Sequence, residues 1–152
     1  MKKILLLIVL FSQYTFSQFL EKKEDLKKYE GYFDFYYNPK ADEIYLEVDK
    51  IDSLFLYNHA LRSGVGSNDI GLDRGQLGGA SVVKFQRAGD KLLLVEPNQR
   101  YRAVTDNELE KQSIEEAFAK SVIYGFEIKE EKDGKLIIDL TPFIMEDAHG
   151  VA

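Results

Sequence analysis

The sequence predicts a mainly β (α+β) fold: an antiparallel meander of hairpins with one mid-chain helix and a short C-terminal helix. Three observations predict it. Apolar and polar residues alternate over short runs, most strictly in Glu43-Ile-Tyr-Leu-Glu-Val48 and again in Ser81-Val-Val-Lys-Phe-Gln-Arg87, which is the period of a half-buried strand. Turn chemistry separates such runs, as in Asn38-Pro-Lys-Ala-Asp42, Ala88-Gly-Asp90 and Glu130-Glu-Lys-Asp-Gly134, where Pro, Gly, Asn and Asp supply the turn dihedrals. After Thr105 the apolar spacing lengthens to that of a helix before alternation returns.

Residues 1–17 have the layout of a secretory signal. Lys2 and Lys3 precede an uninterrupted apolar run, Ile4 to Phe11, and a small residue stands at Ser17. The run is too short to span a bilayer. Removing it leaves 152 less 17, or 135 residues, and takes the net charge from −6 to −8. Export to the periplasm or the exterior is the expectation, with no transmembrane segment after signal removal. Residues 18–30 form a charged lead-in, either one or two helical turns or a flexible linker. A single β-rich domain is expected over 31–152.

Within that domain, Tyr32-Phe-Asp-Phe-Tyr-Tyr37 has the aromatic content of a strand and pairs through the Asn38–Asp42 turn with Glu43–Val48. In the second strand Ile44, Leu46 and Val48 face one way, and Glu43, Tyr45 and Glu47 the other. A bend at 49–53 leads into a strand over Phe55–Ala60. After a long loop, strands follow at Ser81–Arg87 and Lys91–Glu96; the latter is apolar on both faces and therefore central, and Pro97 ends it. Arg100–Val104 reads as another short strand. Thr105-Asp-Asn-Glu108 reads as a capping box opening a helix over Asp106–Ala119, with Leu109, Ile114, Ala117 and Phe118 as its apolar stripe. Ser121–Ile128 and Lys135–Leu140 form a last hairpin, and Thr141-Pro142 starts a terminal helix running to Ala148.

The acidic balance argues against a nucleic-acid partner, which requires Lys and Arg gathered on one face; among the arginines only Arg100 and Arg102 lie close together, on what reads as a solvated strand face. With no cysteine, disulfides and thiolate metal sites are excluded. The two histidines, His59 and His149, stand ninety positions apart. A protease zinc site needs two histidines one helical turn apart and a glutamate, H-E-x-x-H, and this chain has none. His59 therefore reads as a hydrogen-bonded structural residue at a strand end.

The candidate site is the loop Arg62–Gly79, which holds six of the eleven glycines. A loop this long, without regular structure, is functional or disordered. Val65, Ile70, Leu72 and Leu77 supply apolar anchors against disorder, and Asn68, Asp69, Asp73, Arg74 and Gln76 supply polar groups for interdomain or ligand contacts. The spacing matches neither an EF-hand calcium loop nor a phosphate-binding glycine motif. No G-x-S-x-G elbow surrounds Ser63, Ser67 or Ser81, so a hydrolase built on Ser67 or Asp69 with His59 is the weakest reading. The plainest reading is a self-packed loop, with Asp69 or Asp73 pairing to Arg74 or Arg62.

The run Gly66-Ser-Asn-Asp-Ile-Gly-Leu-Asp-Arg-Gly-Gln-Leu-Gly78, with Leu92-Leu-Leu-Val-Glu-Pro-Asn98, Tyr101-Arg-Ala103, Ser113–Phe126 and Asp139–Gly150, resembles the N-terminal region of large secreted bacterial zinc-dependent metalloproteases. The resemblance covers Gly31 to Val151. It implies an accessory β-rich domain that is a fragment of a larger multidomain protease. The catalytic H-E-x-x-H-x-x-G segment of that family lies several hundred residues downstream, and none of it maps here. The resemblance therefore implies no catalytic residue, no metal ligand and no cofactor in this chain, zinc belonging to the missing domain. The implied partner is a catalytic metalloprotease domain, in cis or in trans, onto which the glycine loop docks. The alternative is a stand-alone extracellular binding module that uses loop 62–79 for a ligand.

Overall fold

Alternation becomes strand along most of the chain. The computed structural model describes residues 19–64 and 74–146, and in it β1 is Lys27–Tyr29, β2 Asp34–Asn38, β3 Glu43–Val48, β4 Phe55–Tyr57, β5 Ser81–Ala88, β6 Lys91–Glu96, α1 Glu108–Ala117, β7 Ser121–Lys132, β8 Lys135–Asp139 and α2 Thr141–Ile144. The fold is mainly antiparallel β with two short helices, as the sequence predicts. The signal expected over 1–17, the centre of the glycine loop and His149 lie outside the described residues. Among the described residues no helix is long and apolar enough to cross a membrane.

The chain divides into two compact units. The first takes the described residues up to Lys50, with Gly89–Leu92 and Phe126–Met145; the second takes Ile51–Ala88, Leu93–Gly125 and Glu146, so β6 and β7 contribute to both. In the first unit the hydrogen-bonded order is β1-β2-β3-β8-β7, with Tyr36 opposite Tyr45, Leu46 opposite Ile138, and Ile138 in turn opposite Ile128. Tyr45, Val48, Leu136 and Ile138 are fully buried there. The β2–β3 turn is set by Asn38, whose Oδ1 accepts the N–H groups of Lys40 and Ala41 at 3.0 and 3.1 Å. Asp133-Gly134, both at positive φ (53° and 76°), make the two-residue turn between β7 and β8, the type whose twist suits a hairpin.

Three expectations need correction in this unit. The lead-in is neither helical nor a loose linker along its length: Lys27–Tyr29 is a strand, β1, paired antiparallel with β2. The side of β3 that reads as polar is also covered. Tyr45 is buried and Glu47 is only 8% exposed, because the lead-in lies over them; the Phe19 ring meets Tyr45 edge-on at 5.1 Å, and Lys23 Nζ sits 5.2 Å from the Tyr45 ring centroid. Finally, Thr141 is not the cap of α2. Leu140 holds that position, and Thr141 is the first helical residue, its Oγ1 accepting the Ile44 N–H at 2.9 Å. Pro142 stands in the first turn as expected, and the helix ends at Ile144 rather than running to Ala148.

In the second unit the order is β7-β6-β5-β4. Phe55 pairs with Val83 and Tyr57 with Ser81, and Ile51 makes a parallel bridge to Phe85. Val83, Phe85, Leu94 and Val95 form its buried centre, so β6 is central and apolar as predicted. The cap is shifted by two residues and is not a capping box: the Asn107 side chain accepts Leu109 N–H at 3.0 Å and Thr105 Oγ1 holds Asn107 N–H at 3.1 Å. Asparagine caps at least as well as threonine, so the helix starts at Glu108 and closes at Ala117 rather than spanning 106–119. Its stripe is weakly used, since α1 buries no residue fully. Residues 100–104 are not a strand. Asn98 Oδ1 accepts the N–H groups of Arg100 and Tyr101 at 3.0 and 3.1 Å, an Asx turn that takes backbone donors a ladder would need.

Candidate functional site

Past Tyr57 the chain stays extended and meets the returning limb of the glycine loop. Ala60 bridges Leu77 antiparallel. Three backbone bonds lock the pair: Leu61 N–H to Gln76 O at 2.9 Å, Gly75 N–H to Leu61 O at 2.7 Å and Gly78 N–H to His59 O at 2.8 Å. Gly75 takes φ +80°, a conformation that glycine adopts without a Cβ penalty. Of the five candidate residues, Arg74 and Gln76 lie on this limb with exposed side chains, beside Leu77 at 65% exposure. Asn68, Asp69 and Asp73 lie outside the described residues.

Gly78 meets a packing requirement. A Cβ there would lie 2.0 Å from His59 Nε2, and the His59 ring also leans on Tyr57, with centroids 5.9 Å apart. Gly78→Ala must push the imidazole aside, at a cost of about 1 kcal/mol. Faster amide hydrogen exchange at Leu61 and Gly75 is the expected readout. Unchanged protection at both amides would show that the ring swings away freely.

Sequence reasoning missed a cleft of about 450 Å³ in the first unit, lined among others by Leu26, Lys28, Tyr36, Glu47, Lys135 and Ile137. Glu47 is its centre. Tyr36 donates its hydroxyl to Oε2 at 2.8 Å and Lys135 donates to Oε1. Lys28 Nζ stands 3.9 Å from Oε2 and 2.8 Å from Asp34 Oδ2. Burial raises the Glu47 pKa, but the Lys135 and Tyr36 hydrogen bonds with the Lys28 charge outweigh it, and the net value falls below the ordinary 4.5. The hydrogen bond to Asp34 raises Lys28, and the one to Glu47 raises Lys135. Burial, then the bond to Glu47, raises the Tyr36 phenol. Every shift locks its group in the state it already holds at neutral pH. A general acid or base needs a pKa near the working pH, so these groups form a supporting ion network over β1, β2, β3 and β8. The signal for it was present in the sequence as a glutamate on β3 and lysines on β1 and β8, but only the sheet order and pairing register bring them together.

Among the described residues no three His, Asp or Glu side chains gather to hold a metal ion. A family model with the description "Domain of unknown function (DUF5117)" matches residues 75–152, from the returning limb of the loop through α2. No curated protein and no solved structure matches.

Proposed function

From the premise that the chain belongs to the DUF5117 family of domains of unknown function, we propose that it is the exported, non-catalytic N-terminal domain of a secreted zinc-dependent metallopeptidase. It packs on, or shapes the cleft of, a catalytic domain supplied in cis or in trans, and the zinc belongs to that partner. The observation that carries the reading is the base of the glycine loop. The ladder between Leu61 and Gln76 fixes the limb while Arg74, Gln76 and Leu77 stay exposed. A rigid stem with an exposed aliphatic and a guanidinium is a low-entropy docking element, to which Asn68, Asp69 and Asp73 add polar contacts. The likeness of 66–78 to the metalloprotease N-terminal region supports the same reading.

The test is casein hydrolysis by a metallopeptidase that carries the H-E-x-x-H segment, joined to this domain or mixed with it. Arg74→Ala with Leu77→Ser is expected to lower its activity about tenfold, while the melting temperature of this domain moves by no more than about 2 °C. A comparable loss of stability instead would mean that the limb packs on its own unit. Chelator-sensitive hydrolysis by the chain alone would contradict the non-catalytic role. Ligand capture by loop 62–79 with no peptidase encoded nearby would favour the stand-alone binding module.

A further inference from the structure

A second cleft, of about 600 Å³, opens in the second unit between the segment after Pro97, α1 and the residues that follow the helix. Its floor is the Tyr101–Phe118 pair, stacked at 3.9 Å between centroids and 15° between planes, with Ile114 alongside. Both rings remain substantially exposed, Tyr101 at 43% and Phe118 at 36%. Four cations line the cleft, Lys84, Arg102, Lys111 and Lys120, against one carboxylate, Glu115, on a chain whose net charge is −6.

The cations differ in what they hold. Lys84 pairs with Asp52 and Lys111 with Glu108, both at short range. Arg102 instead donates to the Gln99 amide oxygen at 3.1 Å and Lys120 to the Gln86 amide oxygen at 2.8 Å. An amide oxygen carries no net charge, so these two bonds leave both positive charges on offer. Asn98 is already committed to its own turn, which makes cationic donors the principal polar groups facing the space.

We propose that this cleft binds an acidic peptide segment, its apolar side chain seated on the Tyr101–Phe118 stack and its flanking carboxylates taken by Arg102 and Lys120. The volume suits a few residues, since ligand pockets run from about 300 to 1,000 Å³. Charge chooses the peptide over a long polyanion. A short segment feels the local cations, because fields are screened within about 8 Å at physiological salt. A nucleic acid or polyuronate would run on past the cleft along a chain whose net charge is −6. The cleft uses none of loop 62–79, so the proposal stands or falls separately from the docking of a peptidase.

The experiment is isothermal titration of the whole chain with an acetylated, amidated hexapeptide of alternating glutamate and leucine, and with its glutamine counterpart. Expected is saturable binding of the glutamate peptide that weakens as salt rises, with the glutamine peptide at least about tenfold weaker. Arg102→Glu with Lys120→Glu should weaken binding by at least about tenfold, and Tyr101→Ala by a similar factor. Lys40→Glu, at an exposed ion pair with Asp25 outside the cleft, should leave it unchanged. If the charge-reversed pair fails to fold by circular dichroism, Arg102→Gln with Lys120→Gln gives the same reading. No binding, equal binding of the glutamine peptide, or equal binding by the folded double variant overturns the proposal. Preference for a short oligonucleotide or an oligouronate over the glutamate peptide overturns the choice of occupant.

Discussion

Ile138→Ala is expected to lower the unfolding free energy by about 4 kcal/mol. Ile138 is fully buried on β8, and its backbone neighbours on both sides are held in register, Leu46 on β3 and Ile128 on β7. Strands tied by ladders on either flank cannot close in on a missing side chain, so the truncation leaves a cavity as well as a lost transfer energy. Tyr45, Val48 and Leu136 are fully buried in the same unit, which leaves little room for repacking. The measurement is a urea titration, with a lower midpoint and an unchanged slope. Ile144→Ala on α2, where the side chain is 51% exposed, is the control and should change stability by less than about 1 kcal/mol. A comparable loss at both positions would mean that the core is centred elsewhere.

Strands and hairpins were legible because their signal is local. Alternation in β5, the two-sided apolar run of β6 and the Asp-Gly turn at 133–134 each carry their answer within a few residues. What failed were two inferences that depended on a distant neighbour and two settled by a competing side chain close by. The polar-looking side of β3 was assigned to solvent because nothing near it in sequence says that Phe19 and Lys23 fold back over Tyr45. A charged segment such as Lys27–Tyr29 has no strand signal of its own; it becomes β1 because β2 offers an open edge. At residues 100–104 the alternation was genuine, but Asn98 captured the backbone donors first. The cap of α1 went to the nearer and equally capable side chain, Asn107.

Glycine content and length single out 62–79 in the sequence, and its described limb leaves Arg74 and Gln76 exposed. The two clefts were not legible. Arg102 read as one of a solvated pair because its cleft partners, Phe118 and Lys120, are supplied by the far end of α1 and the residues beyond it. Glu47 read as solvent-facing for the same reason that β3 did. Charge clusters are assembled by register and crossover, and composition alone records only their sum.

Glu47→Gln is expected to cost about 3 kcal/mol at neutral pH, in the range for a buried charge losing its charged hydrogen bonds. The substitution keeps the volume but replaces one carboxylate oxygen by an NH₂ donor, so either the Tyr36 hydroxyl or Lys135 faces a donor instead of an acceptor. It also leaves Lys28 and Lys135 repelling each other without the charge that held both. The pH dependence follows from the direction of the shift. The folded Glu47 pKa lies below the ordinary 4.5, so the unfolded chain binds the proton more readily and the stabilisation is fully present above that value. It is lost as pH falls through the depressed folded value. Lys28 and Lys135, raised above the ordinary 10.5, contribute below that value and lose their contribution as pH climbs through their folded values. The gap in stability between the native chain and Glu47→Gln should therefore be flat from about pH 5 to pH 10 and shrink towards both extremes. Urea midpoints measured from about pH 3 to about pH 11 check it. A gap that widens below pH 4 would mean that Glu47 is buried as the neutral acid, and the network would then be a burden on the fold instead of its support.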